Sequence, residues 1–232
     1  MSKPLIEVRK VSKVYRVGTK VVALSELSLN FDSGEFTSIA GPSGSGKSTL
    51  LNMIGTIDAP SEGQIFYEGR EVTTLSDEEK AEFRLANLGF IFQAYNLIPV
   101  LSAVENVEYP LVLRKVPGAE RRRLAMESLA SVGLETMADR SPDMLSGGQQ
   151  QRVAVARAIV HTPKVVLADE PTANLDSKTA ASLLDLMGRL NSERGITFIF
   201  SSHDPAVLSR ARRVVQIRDG ALVDAECSPR RS

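Results

Sequence analysis

Residues 36–54 read as a short apolar run, Phe36-Thr-Ser-Ile-Ala40, then Gly41-Pro-Ser-Gly-Ser-Gly-Lys47-Ser48, then a helical stretch from Ser48 to Ile54 that Gly55 ends. A strand that runs into a glycine-rich loop and out into a helix is a tightly constrained unit. Its loop fits the spacing G-x-x-x-x-G-K-[ST] in full. Gly41, Gly44 and Gly46 let the backbone of Gly41-Pro42-Ser43-Gly44-Ser45-Gly46 wrap closely, so that its N–H groups, which every residue but Pro42 supplies, surround one anion. The helix directs the positive end of its dipole at the same point. In such a loop Lys47 neutralises the β- and γ-phosphates, the Ser48 hydroxyl ligates Mg²⁺, and Thr49 assists at the α-phosphate. The implied ligand is a nucleoside triphosphate.

The rest of the chain supplies the layers such a unit needs. Leu5 to Val14 and Val22 to Phe31 alternate apolar and polar residues about Gly18 and predict antiparallel strands. Gly63 to Tyr67 predicts another strand, turned by Glu68-Gly69. Ser76 with Glu79 three residues on predicts a capping box. Gly89 to Gln93, Lys164 to Asp169 and Ile196 to Ser201 read as short strands, with a helix from about Ser177 to Asn191 before the last. Ser102 to Arg140 is helical in pattern, with breaks expected at Pro110, Pro117 and Gly118, and a further helix follows Ser146 and ends by Pro163. Val214 to Val223 reads as a hairpin turning at Asp219-Gly220. The fold class is therefore α/β, with ligands expected at the loop edge of a parallel sheet.

Two acidic residues end the apolar run Val165 to Ala168. Asp169 suits a water-mediated hold on Mg²⁺, and Glu170, pointing elsewhere from the next position, suits orienting and deprotonating an attacking water. His203 follows the strand ending at Ser201, where it would reach a γ-phosphate oxygen. His161, at a helix end, reads as structural. Leu145-Ser146-Gly147-Gly148-Gln149 has the pattern of a capping box between Ser146 and Gln149. Its two glycines also leave the helix start bare toward an approaching phosphate. Because the chain already owns one phosphate loop, this second anion-binding end makes sense for a nucleotide held by another subunit.

In these strings the sequence resembles the ABC transporter ATPase family over essentially its whole length. The resemblance implies a P-loop NTPase (RecA-like) core with an N-terminal antiparallel β subdomain and an inserted α-helical subdomain. The core would take residues 1–93 and 150–232, and the helical part residues 94–149. It implies that Tyr15 stacks on adenine and that Gln93, in Phe90-Ile-Phe-Gln, senses Mg²⁺ and the attacking water. Asn174-Leu-Asp176 matches the inter-subunit loop, and His203 the switch histidine. It further implies ATP as ligand with Mg²⁺, and a head-to-tail homodimer holding two nucleotides between each phosphate loop and the opposite Ser146-Gly147-Gly148-Gln149. No position is degenerate, so both sites should hydrolyse.

Asn52 to Pro60, Phe90 to Leu97 and Glu105 to Pro110 resemble, more finely, the lipoprotein-releasing (LolD-like) and macrolide-exporter (MacB-like) subfamily. Its partner is a four-span integral membrane permease that transmits motion across the bilayer. Ala94 to Leu101 is apolar; it docks that permease, packs the helical subdomain, or does both with alternate residues facing different ways. No stretch of about 18 apolar residues occurs, so membrane contact is expected only through the permease. The expected place is cytoplasmic, on the inner face of the membrane, as a separate ATPase subunit. Lys plus Arg and Asp plus Glu both number 28, which disfavours nucleic acid as partner. The single cysteine, Cys227, cannot form an intrachain disulfide and is expected to be idle.

Overall fold

The computed structural model describes residues 3–227, with only the backbone of Val17, Thr19 and residues 224–227, so the Cys227 side chain lies outside the described residues. In chain order the elements are β1 (Ile6–Val17), β2 (Thr19–Phe31), β3 (Phe36–Ala40), α1 (Lys47–Ile54), β4 (Glu62–Tyr67), β5 (Arg70–Glu71) and α2 (Asp77–Asn87). There follow β6 (Leu88–Ile91), α3 (Ala103–Leu113), α4 (Gly118–Ser131), α5 (Gly147–Ile159), β7 (Val165–Ala168) and α6 (Ser177–Arg194). β8 (Thr197–Ser202), α7 (Pro205–Leu208), β9 (Arg213–Arg218) and β10 (Ala221–Cys227) complete the chain. They form two compact units, one of residues up to Arg84 with those from Thr197 on, the other Leu85–Ile196.

The first unit contains two sheets. β2, β1, β4 and β5 make an antiparallel one in that order. β1 and β2 run further than their apolar alternation predicts, meeting at Val17 opposite Thr19 around Gly18. Backbone ladder bonds carry the hairpin past its last buried residue, so Val21 and Val22 lie exposed. Register breaks along β1 coincide with positive φ at Lys10 and Glu26. There the Ser28 hydroxyl accepts the Lys10 N–H at 2.8 Å and the Ser12 hydroxyl accepts the Glu26 N–H at 2.9 Å, replacing ladder bonds lost at the bulges. Ile6, Val8, Val11, Leu24, Leu27 and Ile65 form this sheet's buried face. In the other sheet β3 lies parallel to both β8 and β9, and β10 closes antiparallel on β9. The expected turn at Asp219-Gly220 is present, both residues at positive φ, as a two-residue hairpin demands.

In the second unit β6 and β7 pair in parallel, and α3, α4 and α5 pack on one another. A Cβ on Gly89 would stand 2.2 Å from the Ala158 carbonyl oxygen, so glycine is what lets β6 lie directly against α5. Pro110 does not break its helix, contrary to expectation. It sits in the last turn of α3, where a missing N–H removes one ladder bond shortly before the helix ends anyway. The break falls instead between Leu113 and Gly118. Capping boxes start α3, at Ser102 and Glu105, and stand at Ser76 and Glu79 ahead of α2.

His161 is structural. Its Nε2 lies 3.0 Å from the Leu88 carbonyl oxygen, while Nδ1 is buried with no hydrogen-bond partner. Protonating Nδ1 would leave a buried cation lacking an acceptor. Burial, assisted by the nearby Arg114 guanidinium, depresses the imidazole's affinity for a proton despite the Leu88 bond. The unfolded chain therefore takes up that proton first, at about pH 6.5, and stability is lost as pH falls from there through the lower folded value. We expect the urea midpoint to drop between about pH 7.5 and pH 5.5, and to drop less in His161→Gln. Equal slopes in both proteins would contradict this.

Candidate nucleotide site

In the first unit the phosphate loop joins β3 to α1. The helix begins at Lys47, one residue earlier than expected, with Gly46 as N-cap at φ 104 and no side-chain cap. A Cβ at Gly46 would stand 2.6 Å from the Ala23 carbonyl oxygen and from Leu24, and one at Gly41 would stand 2.2 Å from the Ile217 carbonyl oxygen. No larger residue fits at either place without moving backbone. The loop is also tied from behind: Gly220 N–H donates to the Ser45 carbonyl at 3.1 Å, and Ser25 N–H donates to the Gly220 carbonyl at 2.9 Å. Ser45 itself is buried, and its hydroxyl has no hydrogen-bond partner. Lys47 is buried too, its ammonium donating to the carbonyls of Gly41 at 2.8 Å and Pro42 at 3.0 Å. Phosphate oxygens are stronger acceptors for an ammonium than neutral carbonyls. A glycine-lined loop, a bare helix start and this lysine fit a triphosphate.

Tyr15 lies late in β1, partly buried, with its hydroxyl donating to Asp58 at 2.8 Å. Burial and then the Asp58 carboxylate raise its phenol above the ordinary range. His203 is exposed, one residue past β8, and the next residue, Asp204, caps the short helix α7.

The second unit carries the remaining site residues. β7 ends at Ala168, so Asp169 and Glu170 both lie beyond the strand rather than at its tip. Asp169 N–H still donates to the Ile91 carbonyl at 3.0 Å. Glu170 has φ 44. Glu170 therefore sits in a left-handed turn rather than in strand alternation, at a cost on the order of 1 kcal/mol or more. Gln151 of α5 braces this turn, its buried amide donating to the Pro171 carbonyl at 2.6 Å. The strand before Gln93 also stops early, at Ile91, and the Gln93 carbonyl accepts the Asn174 amide at 2.9 Å. Asp176 caps α6, accepting from the N–H groups of Lys178 and Thr179.

Ser146 caps α5 as expected. Its N–H donates to the Gln149 side chain at 2.9 Å, and its hydroxyl accepts the Gln149 N–H at 3.3 Å. The two glycines have packing duties as well. A Cβ on Gly148 would stand 2.6 Å from Thr179 Cγ2, and one on Gly147 would stand 2.9 Å from the Tyr95 hydroxyl oxygen. Further along α5, Arg157 donates to the carbonyls of Tyr95 at 2.8 Å and Asn96 at 2.5 Å, two residues both at positive φ. The residues that sequence reasoning missed are Gln151, Arg157, Thr179 and Asp58. Each acts on a partner distant in sequence, and only the consecutive positive φ at Tyr95-Asn96 has a local counterpart, an asparagine.

A glycine-rich loop between a parallel strand and a helix, joined to an antiparallel β subdomain, defines a P-loop NTPase of mixed α/β fold. The family model described as ABC transporter matches residues 24–173, and the chain belongs to that family. It is 45% identical over 223 residues to MJ0796, an ABC transporter ATP-binding protein of Methanocaldococcus jannaschii, across 94% of this chain and 95% of that protein. It is 44% identical over 230 residues to the macrolide export ATP-binding/permease protein MacB of Burkholderia pseudomallei, across 99% of this chain but 35% of MacB. The dimeric structure of MJ0796 in a post-hydrolysis state, bound to ADP and Pi, matches with a TM-score of 0.90 at 43% identity, across 97% of this chain and 99% of that one. Cassettes of this family are ATPases, and this chain is an ATP-binding subunit of an ABC transporter.

The packing at α5 is testable alone. Gly148→Ala should lower stability by about 1–3 kcal/mol through overpacking, and adding Thr179→Ser, which removes Cγ2 but keeps the hydroxyl bonded to Asp176, should restore most of it. Chemical denaturation measures both. Wild-type stability in Gly148→Ala would contradict the geometry.

Proposed function

We propose that the chain works as a homodimer that closes on two ATP molecules and drives a separate membrane permease. The observation that carries this reading is the start of α5, where Ser146 is engaged in its own capping box while Gly147 and Gly148 add no side chain over the first N–H groups. A chain with its own phosphate loop has use for a second anion-binding helix end if that end serves a partner's nucleotide. The dimeric form of MJ0796 supports it.

In this reading Lys47 and the loop N–H groups from Gly41 to Ser48 hold the triphosphate, Thr49 assists, and Tyr15 takes the base. Ser48, Asp169 and Gln93 are hard oxygen donors, few in number, of the kind that suits Mg²⁺ shared with phosphates and water. When bound, that ion neutralises charge on the phosphates. Glu170 orients and deprotonates the attacking water, His203 donates to the γ-phosphate, and Ser146, Gly147, Gly148 and Gln149 cover the nucleotide of the other copy.

The permease we propose is of the four-span, lipoprotein-releasing or macrolide-exporter type, which the likeness to MacB supports. No helix among the described residues is long and apolar enough to cross a membrane. The place proposed for the chain is the cytoplasmic face, beside that permease. The segment Ala94 to Leu101 supports docking. Asn106 ties it down through the Ile98 N–H and the carbonyls of Ile98 and Leu101, while Val100 stays 86% exposed. A division of the chain into a core of 1–93 and 150–232 and a helical arm of 94–149 belongs to the same reading. Nucleic acid is not among the proposed partners.

Glu170→Gln should bind ATP but lose turnover by a factor of about 10² or more, and should run as a dimer on size exclusion with Mg-ATP. A monomer with confirmed nucleotide would contradict the proposal. Lys47→Ala should instead lose nucleotide affinity, since it removes a charge on the phosphates. Unchanged affinity in titration calorimetry would remove Lys47 from its role.

A further inference from the structure

Tyr15 is held by more than its strand. Its hydroxyl donates to one oxygen of Asp58 at 2.8 Å. The other oxygen of that carboxylate accepts the Lys13 ammonium at 2.5 Å and the Ala59 N–H at 2.8 Å. Lys13 also donates to the Ala59 carbonyl at 2.6 Å, and its nitrogen stands 5.0 Å from the centroid of the Tyr15 ring. That distance is within cation–π range, so the ammonium attends one face of the ring. The Thr49 side chain, in the first turn of α1, is a further polar neighbour of the hydroxyl. Asp58 in turn belongs to the tail of the same helix, because its N–H and that of Ile57 both donate to the Asn52 carbonyl.

A tyrosine near a hairpin's tip has two free side-chain torsions, and freezing them on ligand binding costs affinity. Here both ring ends are set in advance: the backbone end by β1, the hydroxyl end by a carboxylate fixed to α1. α1 also begins with Lys47 and Ser48, so the ring is held in register with the phosphate loop. We infer that Asp58, braced by Lys13, is the positioning residue that fixes the Tyr15 ring as the surface on which the base of the nucleotide stacks. With one face under the ammonium, a flat base takes the other. The charge balance suits permanence. Burial alone would raise the Asp58 carboxyl, but the bonds from Lys13 and Tyr15 outweigh it and bring it below the usual range, so the carboxylate stays ionised at neutral pH.

This inference rests on the proposed nucleotide reading, and one titration series separates the two. Mg-ATP and inorganic tripolyphosphate, which has no base, are titrated into the full chain, Tyr15→Ala, Tyr15→Phe, Asp58→Ala and Asp58→Asn. Asp58→Ala and Tyr15→Phe should each weaken ATP about 3- to 10-fold, the cost of ordering a loose side chain on binding, with tripolyphosphate unaffected. Asp58→Asn, which keeps an acceptor for the phenol, should recover part of the loss. If Tyr15→Ala weakens ATP but Asp58→Ala does not, the stacking surface stands and the anchor is refuted. If Asp58→Ala weakens both ligands equally, its role is structural and the inference fails. A wild-type chain that binds neither ligand would overturn the nucleotide reading itself.

Discussion

Backbone packed on backbone at Gly41 and Gly46 is the constraint on which the first unit depends. At these positions a single methyl group would collide with the carbonyl oxygens of Ile217 and Ala23. Those carbonyls belong to β9 and β2, so the phosphate loop is shaped by strands on two sides and tied to them by the bridge from Ser45 through Gly220 to Ser25. Its lysine is buried and bonded to its own carbonyls, an arrangement that phosphate oxygens can replace at little cost in reorganisation.

α5 plays the corresponding part in the second unit. Its first turn presents Ser146 and the glycines, its second turn holds the carbonyl after Glu170 through Gln151, and its later turns hold Tyr95 and Asn96 through Arg157. Gly148 rests on Thr179, whose hydroxyl binds the Asp176 carboxylate at 2.6 Å. One rigid helix thus sets the positions of the segment after Gln93, the turn at Glu170 and the start of α6. A displacement at its N-terminus would be felt at all three, because packed contacts transmit strain rather than absorb it. That is the mechanical property a nucleotide-driven subunit needs.

The parts legible in the sequence are those whose chemistry is local. The phosphate loop, the boxes at Ser76, Ser102 and Ser146, and the Asp219-Gly220 turn each satisfy their own backbone groups within a few residues. Ser102 opens a helical pattern, and Glu105 stands at the right distance for a box. Strand ends were less legible: β1 and β2 continue on ladder bonds beyond their apolar pattern, and β6 and β7 stop short of the residues that matter. Pro110 misleads because a proline's effect depends on how much helix remains after it. The left-handed φ of Glu170 leaves no trace in composition, since nothing in Asp169-Glu170-Pro171 demands it. Gln151, Arg157 and Asp58 have partners 20, about 61 and 43 residues away, separations at which no periodicity can pair two side chains.

Whether the glycines of one chain cover the triphosphate of another is settled most directly by crosslinking between chains. In a Cys227→Ser, Glu170→Gln background, chains carrying Ser43→Cys are mixed with chains carrying Ser146→Cys and treated with a short bis-maleimide, with and without Mg-ATP. A mixed dimer crosslinked only when nucleotide is present is the expected product. Chains that bind ATP yet give no such product at any concentration would contradict the proposed dimer.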